Sequence, residues 1–270
     1  MRALRIASIA IVAALILLGA AVWLTAPSAR PGQLLVPANT PFSKGPWFAY
    51  AAPWGGESMA LARPWAPYAD AAIVDLKRFP ANTVMHWRWP PLQPSNGPGV
   101  WGYDQVSYGN YDGGEPEQSA PPIRVKALTA LSQAFRWSLA NRWGDGNVLT
   151  EFYLRSSTTD VEAKTIEIGW FLHTPPRSRQ FFNRSRLIGT YRDAQGRRWT
   201  VRMADRFCMF APEQPGDIPQ GSLDMLAALR WLQQKRVITG EEWMWGVAIG
   251  VEPVSGIGRF TLQDWRVVRR

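Results

Sequence analysis

The chain has 270 residues, and its 30 Lys and Arg side chains against 21 Asp and Glu give a formal net charge of +9. Hydrophobic residues make up 46% and aromatic residues 12%, including 15 Trp, which excludes a disordered chain because this much apolar surface can form a core. Gly and Pro number 23 and 22, so turns and short strands are favoured over long helices, and one all-β domain accounts for the length.

The few His and Cys residues exclude several kinds of site. The chain has two His, His86 and His173, and one Cys, Cys208. A zinc site needs three or four such ligands close together, and a disulfide needs a second Cys. The sequence also lacks a GxxxxGK[ST] loop, a GxSxG elbow and a complete GxGxxG motif, which disfavours nucleotide-binding and serine-hydrolase functions.

The N-terminal segment predicts export. Arg2 and Arg5 precede residues 6–26, a run of 21 residues without a charged side chain. This length matches a membrane span of about 20 residues better than a signal-peptide core of about 7 to 15. Ala26 and Ser28, however, are small residues that suit a cleavage site. An uncleaved anchor and a cleaved signal peptide both stay open, and both place the remaining chain outside the cytoplasm because the basic end stays inside.

The composition along the chain suggests three parts. We assign residues 1–30 to the membrane anchor or signal peptide, residues 31–44 to a linker and residues 45–270 to one β-sandwich domain. We expect a membrane-anchored protein that faces the periplasm or the extracellular side, or a secreted protein if the N-terminal segment is cleaved.

The hydrophobic pattern past about residue 40 predicts strands. Apolar side chains recur at every second position in residues 147–154, 165–172 and 243–254. Each segment has one wholly or mainly apolar face and one that is less apolar. This alternation predicts an all-β fold, a sandwich of two antiparallel sheets.

One short helix is predicted over residues 223–236. Ser222 can cap its N-terminus, Asp224 lies in its first turn and two basic residues lie in its last turn, all of which complement the helix dipole. Its apolar side chains would pack it on the sandwich. Residues 125–137 remain open between helix and strand, since Ala and Leu favour a helix while the flanking turn signals favour a strand.

The three predicted strands each carry a carboxylate on the less apolar face, namely Glu151, Glu167 and Glu252. Burial of a charge is costly, so the simplest interpretation of any one of them is that it faces water. The Gly and Ala residues that precede Glu252 on its face would leave a trough there. A trough with carboxylates and aromatic rings suits a sugar chain, because pyranose C–H faces stack on aromatic rings and paired carboxylates cut glycosidic bonds.

At these residues the chain resembles the family-twelve glycoside hydrolases. Residues 166–172, IEIGWFL, are similar to the family strand E-[IV]-M-[IV]-W, and GVEPV in the C-terminal region is similar to G-T-E-P-F. The resemblance implies that Glu167 is the nucleophile and Glu252 the acid/base. It also places Glu151, in NVLTEFYL, at the position of an Asp that assists the nucleophile.

Weaker matches concern aromatic residues. Trp54 falls in a segment similar to N-N-x-W-G, Trp87 and Trp89 in one similar to W-x-W, and Tyr103 in one similar to V-x-S-Y-P-x-V. Phe171 stands where the family has a Trp. The resemblance implies that these five side chains bind substrate, although a Trp in a Trp-rich sandwich is more often part of the core.

The chain departs from the family pattern at several positions. Ala51 and Ala52 replace paired Asn, Gly169 replaces the Met beside the nucleophile, and Glu151 is one methylene longer than the usual Asp. These changes indicate a divergent member with altered substrate fit or with lost activity.

The implied fold is a jelly roll, and the implied activity is that of an exported, monomeric, retaining endo-β-1,4-glucanase. Its partner would be a β-glucan, either cellulose-like, mixed-linkage or xyloglucan, and the reaction needs no metal or organic cofactor. An inactive glycan-binding protein on the same fold remains the main alternative, and an unrelated sandwich with chance placement of the Glu residues is the third.

Residues 177–206 are rich in arginine, with nine Arg against only two Asp. The simplest interpretation is a solvated loop and hairpin. The alternative is contact with an anionic partner such as lipid headgroups or acidic polysaccharide, while nucleic acid is not expected for an exported chain. The candidate contact residues are Arg177, Arg179, Arg184 and Arg186.

Overall fold

A computed structural model describes residues 19–20, 24–56, 69–95, 97–113, 120–141 and 143–270. The predicted anchor or signal peptide over residues 1–30 therefore falls largely outside the described residues. Within the described ranges, none of the helices combines the length and the apolar character that a membrane crossing requires.

The described residues form 17 strands and two short α-helices. The strands are β1 (Gln33–Pro37), β2 (Phe42–Lys44), β3 (Trp47–Ala52), β4 (Ala69–Asp75), β5 (Thr83–Arg88), β6 (Tyr103–Gly109), β7 (Ile123–Arg124), β8 (Leu131–Asn141), β9 (Asp145–Arg155), β10 (Lys164–His173), β11 (Arg186–Arg192), β12 (Arg198–Ala204), β13 (Phe207–Pro212), β14 (Gln220–Asp224), β15 (Trp243–Met244), β16 (Gly246–Ser255) and β17 (Ile257–Arg269). The helices are α1 (Pro176–Arg184) and α2 (Met225–Gln234), and single 3₁₀ turns lie at Trp54–Gly56 and Val125–Ala127.

The strands form two sheets, which confirms the predicted all-β sandwich. The small sheet has six strands in the order β1-β4-β5-β17-β8-β14. The large sheet has the order β11-β12-β13-β10-β9-β16-β6-β3-β2, and β15 and β7 extend it beside β9. Neighbouring strands are antiparallel except β10 and β13, which run parallel. The parallel pair arises because α1 and the β11–β12 hairpin lie between them in sequence.

The inner faces of the two sheets enclose the main core. Phe152 on β9 and Trp170 on β10 belong to one buried cluster with Trp87 and Phe260 of the small sheet, and none of the four is more than 1% exposed. Burial of each such ring stabilises the fold by about 1.5 to 3 kcal/mol. Because successive side chains point to opposite faces of a strand, the same alternation directs the neighbouring carboxylates to the outer face of the large sheet.

The predicted strands are confirmed with small changes. Residues 147–154 and 165–172 lie in β9 and β10, whereas residues 243–254 are divided at Trp245 into β15 and β16. The open choice at residues 125–137 resolves as a 3₁₀ turn followed by β8. In β8 the alternating side chains of Leu131, Gln133, Phe135 and Trp137 are buried against the core.

The assignment of residues 31–44 to a linker requires correction. β1 pairs with β4 at the edge of the small sheet, and β2 pairs with β3 at the edge of the large one. Val36 is only 3% exposed. These strands are too short to show a clear pattern, so only pairing with distant strands defines them.

The predicted C-terminal helix is present, but its cap is different. Asp224 is the N-cap residue, and its Oδ1 accepts a hydrogen bond of 2.9 Å from the backbone N–H of Ala227. Ser222 instead lies in β14, because that strand extends to the cap residue and pairs with β8. Leu226, Leu229 and the other apolar residues of α2 are buried against the sandwich.

His173 at the end of β10 ties three segments together. Its Nδ1 lies 2.7 Å from Asp217 Oδ1 and its Nε2 lies 3.2 Å from Asp145 Oδ1. Burial disfavours the imidazolium, but the hydrogen bonds to Asp145 and Asp217 outweigh this effect and raise the pKa of His173 above its usual value.

This ionic contact predicts a pH-dependent contribution to stability. A group with a raised folded-state pKa stabilises the fold most below its unfolded pKa, about 6.5 for His, and loses this effect as the pH passes the folded pKa. We expect His173→Gln to lower the free energy of unfolding more at pH 5.5 than at pH 8.5, as measured by urea denaturation. An equal loss at both pH values would contradict the ionic contribution.

Candidate active site

An open cleft of about 590 Å³ lies on the outer face of the large sheet. The three predicted glutamates, Glu151, Glu167 and Glu252, all line it. They come from three adjacent strands, with β9 in the middle between β16 and β10. The structure therefore brings together carboxylates that are up to 101 residues apart in the sequence.

Small residues leave space around the central carboxylate. In the ladders, Glu151 lies opposite Gly169 of β10 and Ala248 of β16. No bulky side chain at these two positions covers Glu151, so it is enclosed mainly by groups that line the cleft. Ala248 belongs to the face of small residues that the sequence predicts beside Glu252, and this face leaves room for the Glu151 side chain.

Glu151 on β9 and Glu167 on β10 line the same cleft, and each affects the ionisation of the other. Burial raises the pKa of Glu167 to about 7, the neighbouring Glu151 carboxyl group acts in the opposite direction, and the charge of Glu252 raises the pKa further. Burial and the charge of Glu167 hold the pKa of Glu151 well above its usual range. Burial and the nearby negative charges therefore favour the protonated form of Glu151 and of Glu167.

Glu252, on the other side of Glu151, is more readily protonated than Glu167. Burial, together with the charge of Glu151, raises the pKa of Glu252 to about 8. Asn147, its partner in the β9–β16 ladder, donates a hydrogen bond of 2.8 Å to Glu252 Oε2. Near neutral pH the site can thus hold an ionised Glu167 and a protonated Glu252 at the same time.

Tyr111 is a site residue that the sequence analysis missed. Its hydroxyl donates a short hydrogen bond to Glu151 Oε1. The fully buried Arg155 positions Tyr111 by donating from Nη2 to the backbone carbonyl of Tyr111 at 3.0 Å. No local pattern marks Tyr111, since it lies after the end of β6 and 40 residues away from its partner.

The departure at Gly169 has a structural explanation. A Cβ atom at Gly169 would lie 2.9 Å from the ring carbon Cε2 of Phe207 and 3.5 Å from Glu151 Cβ. The Phe207 ring therefore occupies the volume that a larger residue at position 169 would need. Phe207 lines the cleft next to the glutamates, and the parallel pairing of β10 with β13 brings it there.

Several aromatic side chains line the cleft. Trp54 is 44% exposed there, and Tyr103 is buried, with its hydroxyl donating to the backbone carbonyl of Leu149 at 3.3 Å. Phe48 and Tyr50 on β3 form a stacked pair with ring centroids 5.8 Å apart and were not predicted. The period-two pattern of β3 could have identified them, because Ala52, at a departure from the family pattern, shares their face.

Three predicted substrate contacts lie elsewhere. Trp87 has no exposed surface, and Trp89 is 3% exposed and stacks on Trp101 with ring centroids 4.9 Å apart. Both belong to the interior, which corrects their assignment. Phe171 is buried beside Phe207 and lines a smaller pocket next to Glu252 rather than the main cleft. The alternation of side chains alone could not decide which sheet face holds the substrate.

The four candidate anion contacts are divided between two elements. Arg177, Arg179 and Arg184 lie on α1, which the sequence analysis did not predict, and Arg186 begins β11. All are exposed except Arg179, which is half-buried and lines the smaller pocket next to Glu252.

Comparison with solved structures identifies the fold. The chain superposes on endoglucanase 3 from family twelve of Trichoderma harzianum with a TM-score of 0.66 and 14% sequence identity, over 90% of this chain and 100% of that chain. A family-twelve xyloglucanase from Bacillus licheniformis gives 0.66 and 16%, over 88% of this chain and 100% of that chain. The chain therefore has the jelly-roll fold of these family-twelve enzymes.

An endoglucanase from Rhodothermus marinus has the same fold, with a TM-score of 0.65, 17% identity and coverage of 88% of this chain and 99% of that chain. No protein-family model matches the sequence, and no curated protein sequence matches it significantly. The likeness at these identities establishes the jelly roll and not the activity.

Proposed function

We propose that this chain is an exported retaining endo-β-1,4-glucanase that hydrolyses a cellulose-like, mixed-linkage or xyloglucan chain. The observation that carries the proposal is the convergence of Glu151, Glu167 and Glu252, from three adjacent strands, in one cleft, where burial raises the pKa of each. Glycosidases use two carboxyl groups with different pKa values, one as a proton donor and the other as a nucleophile or base. The proposal that the chain is exported rests on the run of uncharged residues at positions 6–26.

The first step is glycosylation of the enzyme. The Glu167 carboxylate attacks the anomeric carbon while the glycosidic C–O bond breaks, and the leaving oxygen takes the proton of Glu252. Glu151 keeps Glu167 oriented through their shared proton. Two carboxyl groups in such a mechanism lie about 5 to 5.5 Å apart when substrate is bound, and this is the separation we expect for Glu167 and Glu252.

The second step is hydrolysis of the glycosyl-enzyme. The Glu252 carboxylate removes a proton from water, and the water oxygen attacks the anomeric carbon and releases Glu167. The sugar keeps its β-configuration, and both glutamates return to their starting protonation states. Trp54 and Tyr50 on the cleft wall would stack on the apolar faces of the bound sugars.

The full-length chain should release reducing ends from carboxymethylcellulose, barley β-glucan or xyloglucan. Proton NMR should detect the β-anomer as the first product, because two displacements retain the configuration. A first product in the α-configuration would contradict the double displacement. A well-folded protein that binds these glucans and releases no reducing ends would indicate a glycan-binding protein, the alternative that the Ala51 and Ala52 departures favour.

A further inference from the structure

A second, smaller pocket adjoins the cleft at Glu252. It shares Glu252, Phe207 and Pro98 with the cleft, and the first turn of α1 forms its outer side. A sugar bound next to Glu252 can therefore direct a substituent into this pocket. Apart from Glu252, the residues that line this pocket take no part in the proposed bond cleavage.

The first turn of α1 offers two backbone donors, the N–H groups of Arg177 and Ser178, because Pro175 and Pro176 have no N–H and the N–H of Arg179 donates to the Pro175 carbonyl at 3.0 Å. The helix has nine residues, its N-cap position is Pro175, and no side chain caps it. Its first turn also contains no acidic residue. The free N–H groups and the helix dipole at such an N-terminus favour a negatively charged ligand.

Ser178 gives independent evidence for a polar ligand. This residue lines the pocket and is only 6% exposed, yet its buried Oγ has no hydrogen-bond partner among the described residues. A buried hydroxyl without a partner is costly, so such groups usually mark the position of a ligand or an ordered water.

Arg179 supplies a positive charge at the same place. It is half-buried and lines the pocket, and none of the described carboxylates forms an ion pair with it. By contrast, Arg198 on β12 pairs with Glu213 at 2.7 Å. A guanidinium group offers paired donors that match the two oxygens of a carboxylate.

The size of the pocket limits the ligand. Its volume is about 30 Å³, and one water molecule needs about 10 to 15 Å³ on this scale. The space therefore fits a planar group of a few atoms and not a further sugar ring. Phe171, Phe182 and Met209 form an apolar floor that would strengthen a charge-assisted hydrogen bond.

We propose that this pocket binds a carboxylate carried by the glucan chain, so that the substrate class is a carboxyl-bearing β-glucan. The inference rests on the proposed function, since the polysaccharide must lie in the cleft beside Glu252. The side chains of Arg179 and Ser178 would bind the carboxylate, and the N–H groups of Arg177 and Ser178 would complete its coordination.

The test compares two glucans on the full-length chain: neutral barley β-glucan, and the same glucan with carboxymethyl groups introduced at low density. Arg179→Gln should raise KM for the carboxymethylated glucan about tenfold and leave KM for the neutral glucan unchanged, because one charge-assisted contact is lost. Arg177→Gln is the matched control, since Arg177 is exposed on the same helix and does not line the pocket. It should change neither KM.

Equal effects of Arg179→Gln and Arg177→Gln, or equal effects on both glucans, would overturn the proposal. Calorimetric titration with carboxymethylated and neutral cello-oligosaccharides measures affinity without turnover. It therefore tests the carboxylate pocket independently of the proposed hydrolysis. An inactive chain that still prefers the carboxymethylated ligand through Arg179 would refute the hydrolase and retain the pocket. Equal affinity for both ligands would refute the pocket, whatever the activity.

Discussion

Glu167→Gln and Glu252→Gln should each lower kcat/KM on barley β-glucan by a factor of about 10² or more, since general acid–base catalysis alone contributes about 10² to 10⁴. In the proposed mechanism, Glu167→Gln removes the nucleophile, and Glu252→Gln removes the proton donor for the leaving oxygen. Initial rates of reducing-end release measure both. Glu162→Gln is the matched control, because Glu162 is exposed in the turn between β9 and β10 and should have no effect.

The same roles predict a narrow pH profile for the wild type. Activity requires an ionised Glu167, whose pKa is about 7, and a protonated Glu252, whose pKa is about 8. We expect kcat/KM to rise through the first value and fall above the second. Glu252→Gln should remove the fall on the alkaline side. Full activity of either Gln variant, or an unchanged alkaline fall in Glu252→Gln, would refute the assigned roles.

Trp87→Ala should lower the free energy of unfolding by about 3 to 5 kcal/mol, as expected when a fully buried aromatic ring is removed. The Trp87 ring packs directly on Gly258, where an added Cβ would lie 2.1 Å from its Cζ2, and its Nε1 donates to the Ser255 carbonyl at 3.3 Å. Urea denaturation followed by tryptophan fluorescence and circular dichroism measures the loss.

Trp54→Ala is the comparison for this variant. Trp54 is 44% exposed on the cleft wall, so its loss should change stability by less than about 0.5 kcal/mol. It should raise KM for β-glucan roughly three- to tenfold through the lost stacking on a sugar ring. A stable Trp87→Ala protein with raised KM would restore Trp87 as a substrate contact and contradict its place in the core.

The local pattern of the sequence was sufficient for the strands that carry the site. Alternation in residues 147–154 and 165–172 predicted β9 and β10 and placed Glu151 and Glu167 on the face opposite Phe152 and the other core residues. The prediction succeeds there because both strands lie in the interior of the large sheet with one face against the core. Apolar residues therefore recur at every second position along each strand. The helix α2 was predictable for a similar reason, since its buried residues recur on one side.

The sequence was insufficient where position depends on a distant partner. β1 and β2 are short edge strands that pairing alone defines, and α1 begins at two consecutive prolines in a segment whose arginines suggest a loop. The family resemblance likewise assigned both Trp87 and Tyr103 to substrate binding. It could not indicate that one lies in the core and the other on the cleft.

The sequence by itself determined the alternation of apolar and polar side chains, and with it the sandwich and the faces that carry Glu151, Glu167 and Glu252. Only the tertiary structure decided that these carboxyl groups share one cleft, that Tyr111 and Glu151 are hydrogen bonded, and that Phe207 fills the space above Gly169. The physical reason is that alternation depends on neighbours two residues apart, whereas the pairing of β9 with β10, β16 and their neighbours joins residues tens of positions apart. The raised pKa values of Glu167 and Glu252 arise from burial and nearby negative charge, which exist only after those strands have paired.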